Sequence, residues 1–522
     1  MRAHDSAAPT EAEHPPAPSL LLRNVRVGSR GPLGNVLIAD GRVEAITLDT
    51  LETLDISNTP DVPARSHDEV LDGGGRTLLP GLWDAHVHMV QWASARRRVD
   101  LSGARSARGA AATMAAAAAD KGNSSTEDPL IGYGFRDGLW PDKPEPSLLE
   151  WRAYPERVVA LVSNDLHTAW LNRAALHKIG YPNHPTGVLR EHECFAGLAQ
   201  LSKVPSEIMD RWVAEAVRAA AARGVTGFLD FESDDNLTDW RRRANSHTLQ
   251  ARVTGAVYPA YFDQAIEDGL RTGDVLAGTA GLVTVGPLKV FVDGSLNTRT
   301  ALCHQPYPDQ MPEGQEHGLL ETAPLELERL MARAKRHGLQ TAVHAIGDKA
   351  NGIALDAFDK VGCAGRIEHA QLIDRGDVRR FARPGLVLGV QPAHATDDRD
   401  VADRHWAGRT DRAFAYADLL GAGASLEIGS DAPVSPLDPW QGIASAVART
   451  GTDGRAPWHP EQRISVAAAL AAASAGRRSI RVGEPADLVL CEEDPALLDH
   501  HELREMPIFG TLLAGRWTHR PA

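Results

Sequence analysis

The chain has four cysteines among its 522 residues, and no two of them form a CxxC motif. Cysteines this widely separated argue against a disulfide framework and against a zinc site built from thiolates, so we expect reduced thiols in a cytoplasmic protein. No apolar run is long enough to span a bilayer. The first residues lack the apolar segment of a secretory signal and are rich in proline, alanine and glutamate, which predicts a flexible tail over residues 1–18.

Positive charge is also in short supply. The chain carries 55 Lys and Arg against 69 Asp and Glu, which gives a formal net charge of -14. This balance argues against nucleic acid or an acidic membrane surface as the main partner, and we expect a small-molecule substrate instead. With 43% hydrophobic residues the chain can bury a sizeable core, and its length allows one large catalytic domain plus a smaller one. A homodimer is expected because most soluble oligomers are two-fold dimers.

Short apolar runs separated by turn residues occur at both ends of the chain. The stretch "SLLLRNVRVGSRGPLGNVLIADGRVEAI" begins at Ser19, and "EPADLVLCEEDP" and "PIFGTLLAGRWTH" come near the carboxyl end. Alternating apolar runs and Gly, Asn or Asp turns are typical of short antiparallel strands. We therefore predict one small β-sandwich domain built from residues 19–80 and 477–522.

Between these ends, strand-like and helix-like segments alternate, which indicates an α/β fold. Eight segments have the composition of buried strands, and they read LWDAHVHM, VTGFLDFE, RVTGAVYP, GPLKVFVDG, QTAVHAIGD, GRIEHAQL, LVLGVQPAH and ASLEIGSDAP. Eight such units predict a (β/α)8 TIM barrel over residues 81–476. The first and second segments are separated by Gln91 to Gly224, too long for a structureless loop, so we predict an inserted subdomain at about 95–220.

Metal-capable side chains recur near the carboxyl ends of these predicted strands, where barrel active sites form. They are His86, His88, Lys289, His344, His369 and Asp431. Residues two apart on a strand share a face, so both histidines of the first strand can point to the barrel axis, with Asp84 beside them as a supporting partner. Imidazole and carboxylate ligands suit Zn²⁺, and Mn²⁺, Fe²⁺ or Co²⁺ are also compatible.

Taken one at a time, these residues have ordinary explanations. A single histidine can be a satisfied core or surface residue, Lys289 can reach solvent or pair with Asp293, and Asp431 can cap a turn or helix. The joint occurrence at matching strand ends favours a site. Lysines are very few in this chain, and a buried Lys289 can lose its proton and add CO₂, giving an anionic carbamate able to bridge two metal ions.

The chain resembles the amidohydrolase superfamily, in particular the amidohydrolase family 3 branch that includes N-substituted formamide deformylases. The segments that carry the resemblance are LDGGGRTLLPGLWDAHVHM, SNDLHTAWLNRAAL, TGVLRE, LKVFVDGSLNTRTALCHQPY, AVHAIGDKA, RIEHAQL, VQPAHATDD and LEIGSDAPVSPLDP. The resemblance implies that His86 and His88 hold one metal, that His344 and His369 hold another, and that a carboxylated Lys289 bridges them. It also implies that Asp431 contacts the first metal and acts as general acid and base.

These features together predict a metal-dependent hydrolase that cleaves an amide or other non-peptide C–N bond through a metal-activated water. The candidates for contacts with the substrate are Trp140, Asp165, His167, Trp170, His394 and Arg409. Three alternatives stay open: deamination or lactone and ester hydrolysis on the same metal site, a regulatory homologue without turnover, and a metal-free sugar- or phosphate-processing barrel. The last leaves the histidines and the buried lysine unexplained.

Overall fold

The computed structural model describes residues 19–49, 68–120, 129–153, 155–201, 204–246 and 249–520, and the predicted tail over residues 1–18 lies outside them. Five strands come first: β1 (Leu20–Val27), β2 (Leu33–Ala39), β3 (Arg42–Leu48), β4 (Glu69–Asp72) and β5 (Thr77–Pro80). Asp40 and Gly41 join β2 to β3 with φ of 50° and 73°. An Asp-Gly pair with two positive φ angles is the tight hairpin turn that the twist of antiparallel strands favours.

The first barrel strand, β6 (Leu82–Val87), leads into the insertion. The insertion contains a second sheet, in the order β11-β10-β9-β8-β7. Its strands are β7 (Val99–Asp100), β8 (Leu130–Phe135), β9 (Val159–Ser163), β10 (Thr168–Leu171) and β11 (Val188–Arg190). The first four helices are α1 (Met89–Ala95), α2 (Ala107–Asp120), α3 (Arg173–Lys178) and α4 (His192–Leu201). The helix α2 has the alanine-rich sequence ARGAAATMAAAAAD, in agreement with the high helix propensity of alanine.

The insertion has an apolar core of its own. Ala110 and Met114 of α2 pack there with Leu161 of β9 and with the fully buried Trp170 of β10. A large aromatic side chain in such a position contributes to stability mainly by the apolar area it removes from water. The insertion is therefore a packed unit and not an extended loop.

Seven further strands complete the parallel sheet that begins with β6, in the order β18-β17-β16-β15-β14-β13-β12-β6. They are β12 (Val225–Asp230), β13 (Arg252–Val257), β14 (Val283–Phe291), β15 (Thr341–Ala345), β16 (Gly365–His369), β17 (Leu386–Val390) and β18 (Ser425–Ile428). All eight segments that the sequence marks as buried strands are confirmed. Most residues of these strands are buried, as expected for parallel strands covered on both faces.

Helices alternate with the barrel strands and continue to the carboxyl end. They are α5 (Ser206–Ala221), α6 (Asn236–Ser246), α7 (Pro259–Glu267), α8 (Pro324–Arg336), α9 (Asp348–Val361), α10 (Pro392–Asp397), α11 (Arg399–His405), α12 (Tyr416–Gly421), α13 (Pro439–Ala448), α14 (Val466–Ala472) and α15 (His500–Arg504). Across the described ranges, none of the helices is long and apolar enough to cross a bilayer. All four cysteines lie within these ranges, and none is paired.

The sheet curls until its last strand meets its first. The backbone N–H of Asp431 donates to the carbonyl of His86 at 2.7 Å, and that of His88 donates to the carbonyl of Ala432 at 2.8 Å. These two hydrogen bonds connect the residues that follow β18 to β6, so the eight strands form a nearly closed barrel. A barrel closed in this way leaves little unpaired strand edge.

Three strands end the chain: β19 (Leu488–Cys491), β20 (Ile508–Leu513) and β21 (Arg516–His519). They join the first five strands in one sheet with the order β21-β20-β19-β5-β1-β2-β3, and β4 pairs with β1. Strands from both ends of the chain therefore share a sheet, as predicted. The two-layer sandwich and the domain boundaries given above stay predictions.

We expect replacement of Trp170 by alanine to destabilise the insertion, because it leaves a large cavity in the apolar core. A loss of about 3–5 kcal/mol is typical for such a truncation. Thermal and urea unfolding followed by fluorescence measure it, with Leu139→Ala as the matched control because Leu139 is 46% exposed. An unchanged unfolding midpoint for Trp170→Ala would contradict the placement of this side chain in the core.

Candidate metal centre

The end of β6 directs two histidines toward the barrel axis, and an aspartate after β18 faces them. The Nε2 atoms of His86 and His88 lie 3.5 and 3.4 Å from Oδ1 of Asp431. His86 is fully buried, whereas the side chains of His88 and Asp431 are 15% and 11% exposed. One potential ligand atom from each residue lies within 4.8 Å of the other two, close enough to share one ion.

A second group forms around the same aspartate. His369 at the end of β16, His394 in α10 and Asp431 also bring one potential ligand atom each to within 4.8 Å of one another. The sequence predicts His394 as a contact with the substrate, whereas the structure places it among the possible metal ligands. Asp431 is common to both groups and lies between them.

His344 at the end of β15 adjoins these groups without belonging to either. Its ring centroid is 4.4 Å from that of His369. Its Nε2 lies 3.3 Å from the carbonyl oxygen of Gly294 and 3.6 Å from Oδ1 of Asp293. If Nε2 carries the proton and donates to this carbonyl, Nδ1 is left as the atom able to bind a metal. The predicted pairing of His344 with His369 on one ion stays a prediction.

Lys289 of β14 is buried among aromatic rings. Its Nζ lies 4.2 Å from the ring centroid of Phe231 and 5.1 Å from that of Phe291. Within the described residues this ammonium has no hydrogen-bond partner. Burial lowers the pKa of Lys289 to about 8, so the uncharged amine is far more accessible than in an exposed lysine. The side chain neither reaches solvent nor pairs with Asp293.

A buried carboxylate inside the barrel orients His86. Nδ1 of His86 lies 2.7 Å from Oε2 of Glu368, and Oε1 of Glu368 accepts from Nε of Arg366 at 2.7 Å. A carboxylate on Nδ1 fixes the tautomer that leaves Nε2 free to bind a metal. Gly389 on the neighbouring strand allows this arrangement, because a Cβ there would collide with the carboxylate of Glu368. Gln391 has the same role for His369, whose Nδ1 lies 2.9 Å from Oε1 of the glutamine.

Asp84 holds the first and last strands together beneath the ligands. Its Oδ1 accepts from the backbone N–H groups of Ser430 at 2.8 Å and of His86 at 3.2 Å. Burial raises the pKa of Asp84 to about 7.

Two of the potential ligand residues have strained backbones, with φ of 78° at His369 and 56° at Asp431. Left-handed conformations at non-glycine residues cost about 1–3 kcal/mol each and concentrate at functional sites.

The charge states of these groups suit metal binding. Burial lowers the pKa of His86, His344 and His369 well below the usual value, and nearby positive groups lower it further, so their imidazoles are neutral. Burial opposes ionisation of Asp431, but His86 and His88 hold its pKa below the ordinary range. The centre therefore presents neutral imidazole nitrogens around an ionised carboxylate.

Several buried polar atoms at the centre lack a partner within the part of the chain that the structure describes. They include Nε2 of His86, Nε2 of His394 and Nζ of Lys289. A buried polar atom without a hydrogen bond costs about 1–3 kcal/mol, and several at one point call for a common explanation. A divalent cation bound by the histidine nitrogens and Asp431 supplies that explanation, so the residues present fit a metal ion.

Four of the remaining residues predicted to contact the substrate lie in the insertion, at two different places. Asp165 and His167 lie in the insertion next to the loop after β14, since Oγ of Ser295 donates to Oδ2 of Asp165 at 3.2 Å. Trp140 and Trp170 instead pack in the core of the insertion. Their ring centroids lie 6.5 Å apart, and both side chains belong to its apolar cluster.

Arg409 also lies away from this centre. It is 4% exposed, and its guanidinium donates to the carbonyl oxygens of Gln305 and His405, both at 3.3 Å. These contacts use two of the five N–H donors of the guanidinium. The role of Arg409 as a clamp for a substrate carboxylate stays a prediction.

Sequence reasoning did not select Glu368, Gln391 or Glu191. One signal for Glu368 was available, because a glutamate in a segment predicted to be a buried strand, GRIEH, is as unusual as the lysine of β14. Glu191, whose carboxylate contacts His167 at 2.6 Å, follows the motif TGVLR in the insertion and carries no such signal. Its other partners, the hydroxyls of Thr298 and Thr300, lie more than 100 positions away and meet it only in the folded structure.

Residues 69–519 match the sequence profile of the amidohydrolase family. The protein LONG AFTER FAR-RED 3 of Arabidopsis thaliana is 30% identical to this chain, over 76% of this chain and 73% of its own length. N-substituted formamide deformylase of Arthrobacter pascens is 26% identical over 92% of this chain and 94% of its own length. A metal-dependent hydrolase of Pyrococcus horikoshii, uncharacterised in function, shares the fold with a TM-score of 0.73 and 24% identity, covering 92% of this chain and 99% of that chain.

We expect Glu368→Gln to weaken metal binding, because the neutral amide no longer fixes the tautomer of His86 as a carboxylate does. Loss of such a supporting partner typically costs 10- to 100-fold in metal affinity. Competition with a chelator of known affinity measures the change. Glu326→Gln is the control, since Glu326 is exposed on α8, and equal affinities for the two variants would refute the role of Glu368.

Proposed function

The chain belongs to the amidohydrolase family, and from that membership we propose that it is a metal-dependent hydrolase cleaving an amide or other non-peptide C–N bond of a small molecule. Family membership makes it a hydrolase of the amidohydrolase type. The observation that carries the proposal is Asp431, an ionised carboxylate whose oxygen lies within 4.8 Å of the ligand atoms of two groups of histidines. This is the donor set of a hydrolytic metal site, and it opens to solvent through His88 and Asp431.

The residues that would hold the metal are His86, His88, His369 and Asp431, joined by His344 or His394 on the side of β15 and β17. Nitrogen and carboxylate ligands of this kind favour Zn²⁺. A divalent ion held there would make a water molecule acidic enough to attack at neutral pH and would polarise the substrate carbonyl. The C–N bond as target is supported by the relative whose name is N-substituted formamide deformylase.

Asp431 has the position of the general acid and base in this proposal. Its carboxylate is ionised and partly exposed, so it can accept a proton from the attacking water and pass it to the leaving nitrogen. Burial opposes its ionisation, but His86 and His88 hold the pKa of Asp431 below the ordinary range. Its left-handed backbone and its hydrogen bond to the carbonyl of His86 hold it in place.

Lys289 is proposed to be carboxylated. Its amine is buried without a hydrogen-bond partner among the described residues, and it lies on β14, which pairs with β15, the strand that carries His344. Addition of CO₂ to the neutral amine forms an N–C bond and releases one proton, leaving an anionic carbamate. Such a group would place an oxygen ligand among histidines that offer only nitrogen.

The proposed function predicts chelator-sensitive release of a carboxylic acid and an amine from N-formyl and N-acyl amines. A panel that also contains ring amines, lactones and dipeptides, followed by assays for carboxylate, primary amine and ammonia, identifies the bond cleaved. Activity should be lost on metal removal and return with Zn²⁺. Ammonia from ring amines, or acid only from lactones, would overturn the C–N hydrolysis of amides.

In the same panel, Asp431→Asn should lower kcat by about 10²- to 10⁴-fold, the usual contribution of a general acid–base group. Asp263→Asn is the matched control, because the Asp263 side chain is 75% exposed on α7. Full activity of Asp431→Asn in protein that still contains metal would exclude the assigned role.

We expect ¹³C NMR of protein prepared with ¹³C-bicarbonate to show one carbamate signal that depends on Lys289. Lys289→Arg should lose this signal, because a guanidinium stays charged and cannot add CO₂. Lys349→Arg should keep it, since Lys349 is exposed at the start of α9. A signal that persists in Lys289→Arg would contradict carboxylation at this residue.

A further inference from the structure

The segment Asn164–His167 of the insertion is fastened beside the metal centre. The hydroxyl of Tyr133 lies 2.5 Å from the carbonyl oxygen of Pro433 and 2.8 Å from that of Asn164. Nδ2 of Asn164 donates to the carbonyl of Val434 at 2.8 Å. Both outside carbonyls belong to the loop that carries the metal-facing aspartate, so this segment is attached next to the proposed general base.

The same segment is tied to a second loop of the barrel. Asp165 accepts from Oγ of Ser163 at 2.5 Å and from Oγ of Ser295 at 3.2 Å. Ser295 lies in the loop after β14, the strand that carries the buried lysine. The segment therefore connects the loops after β14 and β18 and lies across the face of the barrel where the metal ligands end.

His167 at the end of this segment is held by a carboxylate. Its Nδ1 lies 2.6 Å from Oε2 of Glu191, and Oε1 of Glu191 accepts from the hydroxyls of Thr298 and Thr300, both at 2.9 Å. The ring of Phe195 packs against the imidazole with centroids 5.5 Å apart. The position and ring orientation of the imidazole are thus set by groups from the insertion and from the barrel.

The remaining nitrogen of His167 is available to a ligand. Burial opposes the charged form, but Glu191, Asp165 and Asp431 raise the pKa of His167 to about 9, so the imidazole is protonated at neutral pH. In the described ranges, no residue accepts a hydrogen bond from Nε2, and the side chain is 15% exposed. Because the segment that carries His167 is bonded to the backbone of Val434, three residues after Asp431, this N–H donor belongs to the part of the insertion beside the metal centre.

We propose that the Nε2–H group of His167 donates a hydrogen bond to the substrate oxygen that becomes negative during hydrolysis, which makes His167 a catalytic residue supplied by the insertion. The inference rests on the proposed amide hydrolysis. His167 and Glu191 together carry no net charge, so long-range attraction of anionic substrates is weak. A fixed, charge-assisted donor acts most strongly where negative charge develops, because no group has to reorient at that moment.

Kinetics of His167→Leu on N-formyl and N-acyl amines test this role, because leucine has no hydrogen-bond donor. Removal of one such donor typically lowers kcat by about 100-fold or more, and we expect KM to change little. His192→Leu is the matched control, because its side chain, adjacent in sequence to Glu191, is 91% exposed. Glu191→Gln should lose activity at a lower pH than the wild type, since the imidazole then deprotonates earlier; an unchanged alkaline limb would contradict the coupling.

Binding measurements separate this inference from the proposed function, because they require no turnover. Methylphosphonate, a tetrahedral anion, and neutral N-methylformamide are titrated calorimetrically into zinc-loaded protein. His167→Leu should weaken methylphosphonate binding by about 10-fold or more, as for loss of a hydrogen bond to a charged group, and leave N-methylformamide binding within about twofold. Equal losses for both ligands, no loss, or no binding of methylphosphonate by the wild type would overturn the proposal.

Unfolding midpoints and zinc content complete this comparison. Zinc content should match the wild type in His167→Leu, and the protein should stay folded at the assay temperature, although its unfolding midpoint should fall because Glu191 loses the partner that it contacts at 2.6 Å. A lower zinc content, or unfolding at the assay temperature that accounts for the kinetic loss, would make His167 a structural residue and would overturn the catalytic role. If no amide in the panel is hydrolysed while methylphosphonate binding still depends on His167, the proposed cleavage of a C–N bond is wrong, and the role of His167 as a hydrogen-bond donor to an anionic oxygen is supported.

Discussion

The metal centre depends on the seam where the last strand of the barrel meets the first. The hydrogen bonds that close the barrel run from Asp431 to the carbonyl of His86 and from His88 to the carbonyl of Ala432. The residues that close the sheet are therefore the same residues that face the proposed ion. Gly429 permits the approach, because a Cβ there would lie 2.5 Å from the backbone nitrogen of His86. Closure of the fold and assembly of the site are a single event.

Beneath the seam, a row of charged side chains runs through the barrel interior. The guanidinium of Arg366 donates to Glu427 at 2.5 Å and to Glu368 at 2.7 Å. Glu368 in turn forms a hydrogen bond with Nδ1 of His86. Buried charges destabilise a fold unless each one is paired, and replacement by apolar side chains is often neutral or stabilising. Retaining such a row makes physical sense if it orients His86, because only a fixed tautomer offers Nε2 to a metal.

The sequence predicted the barrel well because its signals are local. Eight apolar segments mark the strands, and the two-residue period of a strand places His86 and His88 on one face. The supporting contacts could not be predicted in this way, since His86 and Glu368 are 282 positions apart and any of several carboxylates could have met this histidine. Trp170 shows the limit for aromatic residues. A tryptophan side chain suits a core more often than a pocket but fits both, and packing within the insertion places this one in the core.

The insertion shapes more than access to the centre. Its segment Asn164–His167 bonds to the loops after two different barrel strands, one carrying Lys289 and the other Asp431. A shift of the insertion would therefore move both loops, so the geometry of the site and the position of the insertion are coupled. Because the same segment contributes His167, selection of the substrate and stabilisation of its negative charge would lie on one element. Variation of the insertion would then change the choice of substrate and the geometry of the metal centre together, because both depend on the same hydrogen bonds.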